Sequence, residues 1–206
     1  MSPHDVCAGL TVSRETLDHF KAFEDLVTKW NPRINLISKA STADIFQRHI
    51  ADSAQLFNLA VGETSIWCDL GSGGGFPGIV VGILSKTTAR PGRIILVESD
   101  KRKAVFLREV ARQLEINVEV INDRIEAVPS IGADIVSARA LAPLTKLCAF
   151  AERHSQDNGI SIFPKGASHK VEIDEARRSW KFDLEAHQSL TDASSAILLL
   201  RNIRHA

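Results

Sequence analysis

Apolar residues recur every three or four positions early in the chain, at Leu17, Phe20, Phe23, Val27 and Trp30. That spacing predicts an amphipathic helix, which Asn31-Pro32-Arg33 should break. Ser41-Thr42-Ala43-Asp44 resembles a capping box and predicts a second helix with Ile45, Ile50, Ser53 and Phe57. Residues 1–60 therefore read as a helical cap. From Ser65 onward short apolar runs alternate with helical patterns, which argues for a parallel sheet over residues 61–206. The expected strands are Ile66–Leu70, Arg93–Glu98, Val118–Asn122 and Asp134–Ala138. Between them, Lys101–Leu114 is the clearest helix, with Val105, Leu107, Val110, Ala111 and Leu114. A later strand, Ile160–Phe163, should follow a turn at Asp157-Asn158-Gly159, and a polar helix lies near Val171–Trp180. Phe182–Leu190 and Ala196–Ile203, joined by Thr191-Asp192-Ala193, read as a hairpin and hence antiparallel. The expectation is an α/β, Rossmann-like fold: a mostly parallel sheet ending in an antiparallel hairpin, with cap and core forming one compact unit.

Composition narrows the partners. The chain's 206 residues suffice for one full core. Its 25 Lys and Arg balance 25 Asp and Glu, so any nucleic acid must be bound through a local patch. Cys7, Cys68 and Cys148 are odd in number, widely spaced and without metal-ligand pattern, which suggests a reducing compartment and no metal. No apolar run reaches membrane-spanning length and no signal-peptide core is present at the N-terminus. A cytoplasmic monomer without membrane contact is the expectation.

The stretch Ile66 to Ile79, I-W-C-D-L-G-S-G-G-G-F-P-G-I, carries the chemistry. A strand, a glycine-rich loop and a helix start would cradle a nucleotide-like ligand at the carboxyl end of a parallel strand. Gly73, Gly75 and Gly78 fit the dinucleotide pattern G-x-G-x-x-G. Asp69, Gly71, Gly73 and Gly75 fit the D-x-G-x-G-x-G loop of S-adenosylmethionine-dependent methyltransferases. Asp69 favours the second reading, because a carboxylate there repels a pyrophosphate and suits the ammonium of a methionine moiety. Pro77 fits the first turn of the next helix. Glu98, ending the next strand, stands where an acid accepts hydrogen bonds from a ribose diol. The alternative is that Glu98 only flanks a helix start with Ser99 and Asp100. The terminal hairpin also distinguishes methyltransferases from dinucleotide-binding domains, by fold analogy.

The segment after the fourth strand, Ser137-Ala138-Arg139-Ala140-Leu141-Ala142-Pro143, lacks the Asn/Asp-Pro-Pro-aromatic turn of enzymes that methylate exocyclic amines. Cys148 lies too far into the next apolar helix to serve as a nucleophile on a pyrimidine carbon. An acceptor that is already nucleophilic, such as N7 of guanine, needs neither device, and catalysis can then rest on proximity and alignment.

These elements resemble the bacterial small-subunit ribosomal RNA guanine-N7 methyltransferases, the family of glucose-inhibited division protein B (methyltransferase G). The resemblance runs nearly end to end. It rests on Lys29-Trp30-Asn31 with Ile34-Asn35-Leu36, Arg48-His49-Ile50-Ala51-Asp52-Ser53, the loop Asp69–Gly78, Glu98–Lys103, Arg124-Ile125-Glu126, Ser137-Ala138-Arg139-Ala140 and Pro164-Lys165-Gly166. The glycine loop marks only the superfamily; R-H-x-x-D-S and S-x-R-A together are more specific. The resemblance implies a class I S-adenosylmethionine methyltransferase that modifies a guanosine of small-subunit ribosomal RNA, naked or assembled. It implies cofactor contacts at Gly71, Phe76, Ile125, Glu126 and Arg139. Glu98 stands where the family commonly has Asp, and Gly74 where many members have proline. With no tyrosine in the chain, base stacking falls to Phe, Trp, His or Arg.

Arg48, His49, Asp52 and Ser53 fall on neighbouring turns of one predicted helix. Two readings stay open: His49 and Asp52 fix the cap to the core, or they line the cleft. Arg139, just past a strand end, is the candidate catalytic and cofactor-binding cation, suited to hold a phosphate or orient the base; the alternative is a surface ion pair. Lys165, with Arg33, Lys39 and Arg48, is a candidate RNA contact. Lys101, Arg102 and Lys103 read as a solvated helix start, and Trp67 and Trp180 as packing residues. The competing functions are a small-molecule methyltransferase of the same fold and a non-catalytic RNA-binding assembly factor.

Overall fold

Four parallel strands set the frame: β3 (Ile66–Leu70), β4 (Arg93–Val97), β5 (Val118–Ile121) and β6 (Ala133–Ser137). The computed structural model describes residues 6–7, 9–60 and 64–206. A short antiparallel ribbon, β1 (Val6–Cys7) with β2 (Leu10–Thr11), precedes the first helix. β7 (Ser155–Lys165), β8 (Trp180–Gln188) and β9 (Ala196–His205) complete a seven-stranded sheet in the order β5-β4-β3-β6-β7-β9-β8. β9 runs antiparallel to both β7 and β8, which bears out the terminal hairpin. β3 pairs with β4 on one side and β6 on the other, so chain order reverses there and a crevice opens at the carboxyl ends of the strands.

Both faces of the sheet are covered. One carries α1 (Arg14–Ile34), α2 (Asp52–Leu59), α3 (Gly78–Thr88) and α4 (Lys101–Gln113); the other carries α5 (Leu144–His154) and α6 (His169–Ala176). Phe20, Phe23 and Val27 of α1 are fully buried in the same apolar layer as Ile79 and Val80 of α3. The N-terminal helices thus share the core of the sheet. On the other face Cys68, Val136, Cys148 and Phe163 are equally buried. Trp67 and Trp180 are core residues, as their sequence setting suggested.

Three local expectations change. Pro32 does not break α1, which runs on to Ile34. The proline lies in the last turn and removes a single N–H donor there. Asn31 ends the helix instead: its Oδ1 accepts from the N–H groups of Leu36 and Ile37 at 2.8 and 2.9 Å. Asn35, at φ 56°, provides the left-handed exit. Ser41 does not cap the second helix; its Oγ bonds the carbonyl of Ser38 within a 3-10 turn, Lys39–Ser41. Asp44 supplies the cap, accepting from the N–H of Gln47 at 3.2 Å, and the next turns, Phe46–Ala51, are π-helical. Asp157-Asn158-Gly159 is no turn either. β7 starts at Ser155 and bulges through these residues, its pairing passing from Ala133↔Ser155 to Ile135↔Ile160. Gly159 permits the bulge, since a Cβ there would lie 2.9 Å from the Ala133 carbonyl.

Helix α3 packs close to β3 and β4 at Gly78. A Cβ on Gly78 would collide with the Leu96 side chain and come within 2.9 Å of Asp69 Oδ2. Gly78→Ala should therefore destabilise the fold by about 1–3 kcal/mol through overpacking. Urea unfolding checks this as a lowered midpoint with an unchanged slope.

Candidate active site

The loop after β3 is shaped by three glycines in left-handed conformations, Gly71 (φ 67°), Gly73 (φ 53°) and Gly75 (φ 90°). At Gly71 a side chain is also excluded by space, since a Cβ would sit 2.5 Å from Leu141 Cδ1. The loop folds back on β4, with the N–H groups of Gly71 and Ser72 both donating to the Val97 carbonyl. Glu98 then clamps it. One carboxylate oxygen accepts from Gly73 N–H at 2.8 Å, the other from Asp100 N–H at 2.7 Å. Asn122 donates to the Glu98 carbonyl at 2.7 Å. The start of α4 is capped by Asp100, which accepts from the N–H groups of Arg102 and Lys103. Glu98 is left facing the cleft with a free lone pair on each oxygen.

Asp69 does not stand on the cleft wall where its charge was expected to meet an ammonium. Its side chain is completely buried under the loop. Oδ2 accepts from Gly78 N–H at 3.2 Å and Oδ1 from the Ser137 hydroxyl at 2.8 Å, and Ser137 in turn accepts from Trp67 Nε1 at 2.8 Å. Burial pushes its pKa up to about 6, against the pull of Ser137 and Gly78. Asp69 is a strut that fixes α3 to β3 and β6. Gly75 likewise shapes the loop from behind, where a Cβ would meet Ile79 at 2.6 Å. Pro77 falls at the cap position of α3, one residue before its first turn.

At the end of β6, Arg139 joins the N-terminal segment to the sheet. Its guanidinium bonds Asp52 Oδ2 at 3.1 Å, the Arg48 carbonyl at 3.2 Å and His49 Nδ1 at 2.7 Å. It also lies 5.2 Å from the centre of the Phe76 ring. Asp52 Oδ1 extends the network to Thr191 at 2.8 Å and Gln55 at 2.9 Å, so α2 and the β8–β9 turn are tied to the same group. The bonds to Arg139 require Nδ1 of His49 to be unprotonated. Burial, then Arg139, then Arg48, lower the His49 pKa to about 4. Both open readings of this motif hold at once: His49 and Asp52 anchor the cap through Arg139, and His49 lines the cleft. Ala140 follows in a left-handed conformation, φ 53°, uncommon for a residue with a Cβ.

Two cavities meet at this junction. One, of about 600 Å³, runs from Ile125, Glu126 and Glu98 past Gly71, Gly73 and Gly74 to Phe76, His49 and Arg139. Its size suits a nucleoside-type ligand. The other, of about 700 Å³, lies between Pro164, Lys165, Glu172 and Ala196. His49, Arg139, Ala140, Leu141 and Ala142 line both. Glu126 itself is exposed and paired with Lys146 at 3.5 Å.

The structure scatters the predicted RNA contacts. Lys165 is not a free loop cation: its side chain is 9% exposed, and its ammonium bonds Glu172 at 2.7 Å and the Ala142 carbonyl at 2.8 Å. A phosphate there would have to displace Glu172, which corrects its reading as a backbone contact. Arg33 lies with Lys29, Trp30, Glu109 and Gln113 in a groove between α1 and α4, on neither cavity wall. Arg48 is exposed, with one bond to the Ala40 carbonyl at 3.1 Å, and Lys39 is exposed. Glu172, Gln55 and Thr191 had drawn no attention in the sequence, since polar residues on a polar helix and in a turn carry no signal. Burial raises the thiol pKa of Cys68, and that of Cys148 to about 12, so neither is a nucleophile. The side chain of Cys7 lies outside the described residues. Among the described residues no group of His, Cys, Asp or Glu gathers to hold a metal, and no helix is long and apolar enough to cross a membrane.

Residues 16–201 match the family model of GidB, described as rRNA small subunit methyltransferase G. A protein of Cereibacter sphaeroides named ribosomal RNA small subunit methyltransferase G is 50% identical over 200 residues, covering 97% of this chain and 96% of its own. Relatives of the same name from Ruegeria pomeroyi and Rhodospirillum centenum are 48% and 47% identical, covering 94% and 97% of this chain and 95% and 90% of theirs. Among solved structures, a SAM-dependent methyltransferase from Aquifex aeolicus aligns with TM-score 0.58 at 13% identity, over 79% of this chain and 94% of its own. The ribosomal protein L11 methylase of Lactobacillus delbrueckii aligns with TM-score 0.59 at 17% identity, over 75% and 78%. Those two share the fold.

The His49 pKa sets a pH window. The unfolded chain binds a proton near the ordinary value of 6.5, the folded chain only near 4, so this contribution to stability is complete above 6.5 and is lost as pH falls to about 4. Asp69, raised from 3.8 to about 6, works in the opposite sense, so a variant is needed to isolate His49. His49→Gln should lose less stability than the parent between about pH 7.5 and about pH 4.5, by up to about 2 kcal/mol after discounting for partial exposure. Denaturant midpoints at the two pH values measure it.

Proposed function

The chain belongs to the GidB family, rRNA small subunit methyltransferase G, and from that premise we propose how its two cavities divide the work. The protein transfers the methyl group of S-adenosylmethionine to N7 of a guanosine in small-subunit ribosomal RNA. When bound, S-adenosylmethionine supplies the methyl group already activated on a sulfonium. The residues present fit it: a buried carboxylate for a ribose diol, a loop whose left-handed glycines admit close approach, and a cleft of about 600 Å³.

The observation that carries the division of roles is the shared wall at Arg139. Ile125 and Glu126, at one end of the cleft, would hold the adenine end. Glu98 accepts from the ribose hydroxyls. Gly71 and Gly73 would let the backbone come close, with Gly75 shaping the loop from behind, and Phe76 would pack against the far end. Arg139, on the wall of both cavities, would align cofactor and acceptor, its charge balanced by Asp52. Asp69 supports the loop from below. No residue is asked to remove a proton, because N7 of guanine carries a lone pair at neutral pH. Arg48, and at longer range Arg33, contact RNA phosphates as exposed cations. The enzyme acts as a monomer in the cytoplasm, on small-subunit RNA, naked or assembled.

Three outcomes are expected. Glu98→Gln should weaken S-adenosylmethionine binding by roughly 1.5–3 kcal/mol, the range for bonds to a charged group, as read by calorimetry. Turnover on RNA should fall steeply with added salt while cofactor binding changes little. A shallow salt response of both would favour a small-molecule acceptor. Methyl transfer from labelled cofactor to naked RNA and to subunits, followed by mapping of the modified base, tests the function directly. Arg139→Ala should reduce transfer even at saturating RNA.

A further inference from the structure

The second cavity has a polar feature that the transfer chemistry above leaves unused. Glu172 lines it together with His49, Arg139 and Ala140 of the shared wall. Oε2 of Glu172 is occupied, accepting from Lys165 Nζ at 2.7 Å and Leu144 N–H at 2.9 Å. Among the described residues Oε1 has only the Ser168 hydroxyl at 3.3 Å. Burial raises the Glu172 pKa, and the bonds from Lys165 and Leu144 outweigh it, so the group stays below the usual carboxylate range and is charged at neutral pH.

We propose that the second cavity receives the target guanine and that Glu172 reads its Watson–Crick edge, accepting hydrogen bonds from N1–H and the 2-amino group. This rests on the methyltransferase reading of the first cavity. Guanine alone among the common bases offers two adjacent donors on that edge, and Oε1 of Glu172 has the two lone pairs to accept both once the weakly held, exposed Ser168 hydroxyl turns to solvent. Adenine presents a bare ring nitrogen there, which Glu172 repels. The edge lies opposite N7, so a base held by Glu172 turns N7 toward the wall shared with the cofactor cleft.

The same contact assists the reaction. The N7 lone pair forms a bond to the methyl carbon, and the electron pair of the breaking carbon–sulfur bond stays on sulfur. No proton leaves, and the base gains one positive charge. That charge makes N1–H and the amino group stronger donors, so their bonds to Glu172 tighten as the transition state is reached. Lys165 is the positioning residue: it holds Oε2 and leaves Oε1 to the base.

The test uses small-subunit RNA carrying guanosine or inosine at the methylated position. Inosine keeps N7, O6 and N1–H and lacks only the 2-amino group. For the parent enzyme kcat/KM should be about 10- to 100-fold lower on inosine; equal rates overturn the proposal, and this measurement needs no variant. Glu172→Gln should bring the ratio of the two substrates close to one while S-adenosylmethionine affinity is unchanged. Equal loss on both substrates overturns the assignment. Lys165→Met should lower the ratio and Lys165→Arg restore it. Asp174→Asn, on the same helix but exposed and off the cavity, should leave the ratio alone; if it moves the ratio as far as Glu172→Gln does, Glu172 is the wrong residue. If the parent transfers no methyl to guanosine RNA, the methyltransferase reading itself fails.

Discussion

A single guanidinium holds the working parts of this protein together. Arg139 lies at the end of a central strand, with its side chain 16% exposed, and meets Asp52, His49 and the Arg48 carbonyl from the N-terminal segment. Little water competes there, so removing one partner would strand a charge in a poorly solvated place. Asp52 then reaches Thr191 and Gln55, and Gln55 reaches the Leu190 N–H at 2.9 Å. Three regions distant in sequence are thereby fixed around the junction of the two cavities. This explains why Arg48-His49-x-x-Asp52-Ser53 and Ser137-x-Arg139-Ala140 form a joint signature: each supplies half of one network.

Beneath it a second buried network sets the loop. Trp67, Ser137 and Asp69 form a chain of hydrogen bonds that ends on the first N–H of α3. A carboxylate with both oxygens bonded in the protein interior specifies one arrangement of strand, loop and helix. Glu98 does the same from above through Gly73 and Asp100. The loop is therefore held from both sides before any ligand arrives, which reduces the ordering cost of binding. Ala140, left-handed despite its Cβ, stores local strain beside the cleft, and the Arg139 network next to it holds it.

Much of this was legible in the linear chain, for a local reason. Strand and helix periods, the glycine loop, the terminal hairpin and an acid following β4 all depend on neighbours within a few residues, so spacing alone exposes them. β3 matches its predicted bounds residue for residue, and α4 does so to within one residue at its end. Where local signals misled, the tertiary or local setting outweighed the breaker: Pro32 costs α1 only one N–H in its last turn, with Asn31 ending the helix after Ile34, and Gly159 lets β7 bulge instead of turning.

The sequence by itself determined the fold class, the cofactor loop and the family, because each is written in contiguous residues. What each polar side chain does was decided only by tertiary structure. Asp69 and Glu98 both end strands beside the same ligand loop, yet one is sealed as a strut and the other lines the cleft. Lys165 reads as an exposed loop cation until α6 brings Glu172 against it. Burial and partner are long-range properties: they depend on which elements the sheet places together, and no spacing along the chain encodes them.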